Sequence, residues 1–173
     1  MLLKIDLIGS IGAHADSLRL ASVLRLLARG TDLAASLQSF VGASPTAFQA
    51  SITLLGDKSK LIHSADQLYL TLVRAAVTES LDLTRDYCRK SGQTEVLKSQ
   101  PWFHMFRIFR NTFNHNFKLE FGKEDLKVLP LTWKNLSIVA SDNAKELTHK
   151  LLPPSAAIDW LTDLENFISS QLA

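Results

Sequence analysis

A lone cysteine, Cys88, is the only thiol in this chain, which excludes an intramolecular disulfide and every metal site built on several cysteines. Without a second cysteine or a neighbouring histidine pattern it reads as a small buried hydrophobe, and it fits a cytoplasmic protein. Proline and glycine are scarce, five and seven among 173 residues, and leucine and alanine dominate, so little stands in the way of helices. Long apolar runs are missing as well. No segment approaches the ~18 apolar residues that a membrane span needs, which predicts a soluble protein with no membrane partner. The apolar opening from Met1 to Gly12 carries Asp6 and has no basic leader beyond Lys4, which is not the pattern of a signal peptide. Internal repeats, low-complexity tracts and long linkers are absent too, so the expectation is one domain over residues 1–173.

Net charge is also small, +2, too little to announce a nucleic-acid binder. Its distribution says more. Between Arg85 and Lys134 ten basic residues stand against five acidic ones, whereas the rest of the chain holds nine basic and twelve acidic. A segment with that asymmetry can attract phosphate while the molecule stays nearly neutral. The plainer reading is a solvated face with a chance excess of charge.

Periodicity and punctuation predict the elements. Asp16 or Ser17 caps a first helix carrying Leu18, Ala21, Leu24 and Leu27, ended by Gly30. A short helix follows over 32–41, closed by Gly42, and 44–56 is weakly helical. A long helix, unbroken or broken once, runs from about Ser59 to Lys90, with Gly92 as its stop. After Pro101 comes an aromatic helix, Trp102 to Asn116. The period then changes: Phe117 to Phe121, Leu126 to Trp133 and Leu136 to Ala140 are short β-like runs, with Gly122 and Lys134-Asn135 as turns, which predicts a small hairpin. Ser141 or Asp142 starts another helix that ends near Pro153 and Pro154. Ser155 caps a last one, whose stripe is Ile158, Leu161, Leu164, Ile168 and Leu172.

The aromatic helix concentrates the chemistry. At ~100° per residue, Trp102, Met105, Phe106, Ile108, Phe109, Thr112 and Phe113 share one face. His104, Arg107, Arg110, Asn111, Asn114 and His115 share the other, with Phe103 as its one apolar member. A well-packed helix would hold that polar face on a rigid support. RNA brings its own nucleophile, the 2′-hydroxyl, so a protein that cleaves it has to move protons and stabilise the charge gathering on phosphorus. Histidine does the first near neutral pH, and the guanidinium fork of arginine does the second. The amides of Asn111 and Asn114 can orient the imidazole or bind a phosphate oxygen. The sequence offers no convincing carboxylate–histidine cluster for a metal and calls for no cofactor.

The run Arg110-Asn111-Thr112-Phe113-Asn114-His115 resembles the motif of the HEPN superfamily, an arginine and a histidine four to six residues apart with a polar residue after the arginine. The resemblance is specific over roughly Glu79 to Phe121 and architectural elsewhere. It implies an all-α, HEPN-like helical bundle, here with a small β-hairpin insertion after the motif helix. It also implies homodimers with facing motifs and metal-independent endoribonuclease activity, often as a toxin or phage-defence effector restrained by an antitoxin or associated with a nucleotidyltransferase. On this reading Arg110, His115 and Asn111 are catalytic, and Asn114, Arg107 and Lys118 bind substrate. The spacing alone is weak, since chance supplies about 0.2 Arg-x4-His pairs in this composition, or ~0.7 if all three spacings count.

Glu79 falls in phase with Leu61, Leu68, Leu72, Ala76 and Leu83, a stripe expected to be buried, where a carboxylate needs a partner. Arg110 or Arg107 would supply it, making Glu79 a structural support, while Asp82 would lie on the solvent side. If the helix turns near Val77, Glu79 is wet instead. The set also has plainer readings. Arg110 and His115 are cations near a helix C-terminus, which the helix dipole favours. His104 is a rim residue, and His14, His63 and His149 are ordinary surface or partly buried histidines. Two functions stay open: an endoribonuclease, and a non-catalytic helical interaction module of the antitoxin or adaptor kind. A nucleotide-binding regulator is weaker, because no glycine-rich phosphate loop is present.

Overall fold

A computed structural model of the chain describes residues 3–30, 56–148 and 151–173. The helices expected over 32–41 and through most of 44–56, and His149, lie outside the described residues. The described part is mainly helical, with one small hairpin, in the order α1 (Lys4–Arg29), α2 (Lys58–Lys90), α3 (Thr94–Lys98), α4 (Phe103–Asn114), α5 (Lys123–Val128), β1 (Leu131–Trp133), β2 (Leu136–Ile138) and α6 (Pro154–Gln171). Among the described residues no helix is long and apolar enough to cross a membrane.

The chain divides into two compact units, Met1–Asp16 with Val73–Ala173, and Ser17–Leu72. In the second, Arg25 Nε and Arg29 Nη2 both reach Asp66 Oδ1, at 2.6 and 2.7 Å. Partial burial raises the Asp66 carboxyl, but the hydrogen bonds from Arg29 and Arg25 outweigh it and hold the group below its ordinary range. Among its described residues, Leu18, Ala21, Ala28, Leu61 and Tyr69 are buried and apolar.

The first unit carries the aromatic core. Phe106 of α4 stacks on Trp160 of α6 with centroids 4.4 Å apart and planes 9° apart. It also meets Trp133 of β1 edge-on at 5.1 Å and Phe109 at 5.4 Å. Trp102 meets Trp160 and Phe167 edge-on at 5.9 and 5.8 Å. Every residue assigned to the core face of α4 is buried. The hairpin pairs Leu131 with Ile138 and Trp133 with Leu136 through a two-residue turn in which Lys134 takes φ +49. Cys88 is buried as expected, and burial pushes its thiol up to about 11.

Several local expectations are corrected. α1 begins at Lys4, not at Asp16 or Ser17, because Leu7, Ile11 and Ala15 extend the buried stripe upstream and leave Asp16 and Ser17 exposed within it. Leu24 is only half-buried, and Leu27 is exposed. α2 is unbroken, and it ends in a Schellman turn in which Gly92 takes φ +73 and Gln93 N–H donates to Cys88 O at 2.7 Å. The run Leu126 to Trp133 is split: Asp125 accepts from Gly122 N–H at 2.9 Å and starts α5, so only Leu131–Trp133 is strand. Phe117 to Phe121 forms a single bridge, Lys118 to Glu146. No α-helix begins at Ser141 or Asp142. A 3-10 turn, Ala140–Asp142, ends there, and Ala144 at φ +64 carries the chain into that bridge, where its N–H bonds Leu119 O at 2.7 Å. Ser155 does not cap α6. Pro153 does, in an extended conformation, with Pro154 as the first helical residue. Leu161, Leu164, Ile168 and Leu172 are buried as the stripe requires, and Ile158 is half-buried.

Because Phe106 joins α4 to both α6 and the hairpin, Phe106→Ala should destabilise the protein by about 3–5 kcal/mol. Urea denaturation followed by tryptophan fluorescence measures this, and a loss below about 1 kcal/mol would show that the ring is not the anchor.

Candidate functional site

Among the described residues, two arginine–carboxylate ion pairs and one histidine–carboxylate contact shape the polar side of α4. Arg110 Nη2 donates to Asp82 Oδ2 of α2 at 2.8 Å, and its Nη1 reaches Asn111 Oδ1 at a long 3.4 Å. The Arg110 side chain is 27% exposed. Its Nε is buried and finds no acceptor among the described residues. Asp82 Oδ1 also lies 3.7 Å from Arg85 Nη1, so one carboxylate serves two guanidinium groups.

Arg107 is committed elsewhere. Its Nη2 lies 2.6 Å from Asp125 Oδ1, and Asp125 is buried at the start of α5. This pair ties α5 to α4. Beside it His104 is half-buried, with its Nδ1 buried and unpartnered among the described residues. Burial first, and then the neighbouring Arg107 charge, lower the imidazole below its ordinary range, against the opposing pull of Asp125. His104 therefore favours its neutral form at neutral pH.

His115 closes α4. Its N–H donates to Asn111 O and Thr112 O, each at 3.1 Å, and its φ of −106° departs from the helix. Asn116 and Phe117 then take φ +52 and +62, two left-handed residues in succession that turn the chain sharply. The corner is held by Phe117 N–H on Thr112 O at 3.0 Å, by Leu147 N–H on Phe117 O at 2.7 Å, and by the edge-on contact of Phe117 with Phe113 at 5.5 Å. The imidazole is thus presented to solvent, 53% exposed, with Nδ1 3.3 Å from Glu120 Oε2. Asn114 and Lys118 are exposed beside it. Arg110 and Asn111 touch, whereas among the described residues no hydrogen bond joins Arg110 to His115.

Glu79 is not the support of this face. Its side chain is 61% exposed and pairs with His14 Nε2 at 3.2 Å, while His14 Nδ1 bonds Ser80 Oγ at 2.8 Å. Serine, histidine and glutamate adjoin here, but Ser80 is fully buried and offers no accessible nucleophile. The stripe drawn through Glu79 has the wrong phase: Leu68 is exposed, and Leu72 and Leu83 are half-buried. The buried face of α2 in this unit runs through Val73, Ala76, Val77, Ser80, Leu81, Thr84 and Cys88. Two hydroxyl residues in that stripe hid it. Thr84 satisfies its hydroxyl on Ser80 O at 2.8 Å, which makes its burial tolerable. Rotating the face to its true position turns Asp82 towards α4. The capping pattern Gly122 to Asp125 was the available sign for the Arg107 partner, and Glu120, five residues beyond His115, had none.

The roles expected of Asp82 and Glu79 are therefore exchanged. Asp82→Asn should cost about 1 kcal/mol, between the values of surface and buried pairs, because it leaves Arg110 half-buried without a counterion. Glu79→Gln should stay within about 0.5 kcal/mol. Thermal melts of the two variants decide it, and equal stability would show that the Asp82 pair is merely a surface contact. No family model matches this chain, and no curated protein or solved structure matches it.

Proposed function

We propose that this protein is a metal-independent endoribonuclease of HEPN type, acting on RNA through Arg110, Asn111 and His115 as a toxin or defence effector. The observation that carries the reading is the arrangement of those residues at the end of α4. A half-buried arginine is held by a carboxylate and meets Asn111, and a solvent-facing imidazole follows it on a tightly fixed corner.

In the reaction the 2′-oxygen attacks the adjacent phosphorus while its proton passes to a base. The bond from phosphorus to the 5′-oxygen breaks, and that oxygen takes a proton from an acid. The products are a 2′,3′-cyclic phosphate and a 5′-hydroxyl. Arg110 donates to the non-bridging oxygens as their charge grows, and His115 carries a proton. Asn111 meets Arg110 and aligns it. Asn114 and Lys118, exposed beside His115, contact the flanking phosphates. Arg107, paired with Asp125, binds a flanking phosphate by exchanging that carboxylate for a phosphate oxygen.

Two proton transfers are needed, and one histidine performs one of them at a time. A second copy of the motif, facing the first across a two-fold axis, supplies the other. The homodimer is therefore part of the proposal, and an antitoxin or nucleotidyltransferase partner would act by covering this face. The Arg110–Asp82 ion pair and the His115–Glu120 contact favour a second reading, in which the same face is a non-catalytic interaction surface of an adaptor or antitoxin-like module.

Incubation with end-labelled RNA in excess chelator separates the two. Cleavage with cyclic phosphate ends is expected, with losses of at least about 10²-fold in His115→Ala and Arg110→Ala at unchanged circular dichroism. Intact RNA under these conditions selects the interaction module. Sedimentation should give a dimer at tens of micromolar, and a monomer there that still cleaves RNA would remove the composite site.

A further inference from the structure

Glu120 is a carboxylate without a cation beside an exposed imidazole. Its Oε2 lies 3.3 Å from His115 Nδ1, and its side chain is 59% exposed. Lys118 and Lys123 stand two and three residues away in the chain, yet among the described residues Glu120 forms no ion pair with a lysine or arginine. Nearby, by contrast, Glu124 meets Lys127 at 2.5 Å and Asp142 meets Lys145 at 2.8 Å.

Backbone bonds hold the carboxylate in this place. Leu119 N–H donates to Lys145 O at 2.9 Å and Ala144 N–H to Leu119 O at 2.7 Å, while Phe121 N–H donates to Asn143 Oδ1 at 3.0 Å. Both chain neighbours of Glu120 are thus pinned to segment 143–145, and the Leu119 side chain is fully buried. The left-handed corner at Asn116 and Phe117 turns the chain back towards the His115 ring. Had α4 continued, residue 120 would lie about 140° round the helix from residue 115 and about 7.5 Å along it. The meeting of the two side chains depends on the corner.

What the contact does follows from what each atom can do. An ionised carboxylate only accepts hydrogen bonds. An imidazole nitrogen without its proton presents a lone pair, which a carboxylate oxygen repels, so this contact favours the neutral tautomer with hydrogen on Nδ1. Nε2 then keeps the free lone pair, and among the described residues no hydrogen bond or ion pair engages it. A free imidazole prefers the opposite arrangement, so the choice has to be imposed by a neighbour.

We propose that Glu120 is the positioning residue of His115: it holds hydrogen on Nδ1 and leaves Nε2 to take the proton of the RNA 2′-hydroxyl. The role of Nε2 rests on the ribonuclease reading, whereas the tautomer rests on the contact itself. As the proton passes to Nε2, the electron pair of the O–H bond stays on the oxygen that attacks phosphorus, and the leaving 5′-oxygen takes its proton from the facing motif. Both nitrogens of His115 then carry hydrogen, and the positive charge that appears lies beside the carboxylate. Glu120 acts through the imidazole, so its effect falls on turnover and not on binding of the strand.

Nitrogen-15 NMR of the full-length protein reads the tautomer directly, at a pH where the ring is neutral, with the His115 signals assigned by their loss in His115→Ala. Nδ1–H should be the major form in wild type, and Glu120→Ala should return the ring to mainly Nε2–H. Glu120→Gln, whose amide can turn either its oxygen or its NH2 towards Nδ1, should fall between them. Glu124→Gln, at an exposed carboxylate four residues on, should keep the wild-type ratio. In cleavage of RNA in excess chelator, Glu120→Ala should lower kcat at least about 10-fold with KM within about twofold, at unchanged circular dichroism. Nε2–H as the major form in wild type, or a ratio that Glu120→Ala does not move, overturns the proposal. A variant that reverts to Nε2–H yet cleaves at the wild-type rate removes the role of Glu120 and leaves the nuclease. RNA left intact by a wild type whose ring is Nδ1–H removes the nuclease, and with it the role of Nε2, and leaves the tautomer assignment.

Discussion

The unit that carries the site depends on one ring. Phe106 stacks on Trp160 and meets Trp133 and Phe109 edge-on, so a single side chain fixes α4 against α6 and the hairpin at once. Aromatic pairs of this kind add about 0.5–1.5 kcal/mol each beyond their burial. The rings also have few rotamers to lose, so the helix they anchor is rigid as well as stable. A rigid helix buried along one side presents the residues of its other side at fixed spacing.

On that other side, charge sets the geometry. Each arginine of α4 takes its carboxylate from a different element, Arg110 from α2 and Arg107 from α5. The two pairs differ in kind. Asp125 is buried and its pair fastens one element to another, whereas Asp82 is 40% exposed and its pair with Arg110 stays partly open to solvent. His115 owes its position to backbone conformation. Two left-handed residues after it would be strained in isolation, and the hydrogen bonds to Thr112 and from Leu147, with the Phe113–Phe117 contact, hold them there.

What the sequence determined by itself was the local order. The helical character, the stop at Gly92, the hairpin turn at Lys134-Asn135 and both faces of α4 follow from periodicity and turn chemistry, which act over a few residues. Where local signals were weak or misleading, boundaries moved: α1 continued upstream through Leu7 and Ile11, and the segment after Asp142 turned into a bridge instead of a helix. Tertiary structure alone decided which carboxylate meets which arginine. Ser80 and Thr84 are polar by composition yet buried in place, and that shifted the inward face of α2 and put Asp82, not Glu79, against Arg110. A sequence fixes which side chains a helix can show, but the phase at which it docks depends on neighbours distant in the chain, and an ion pair depends on that phase to within a fraction of a turn.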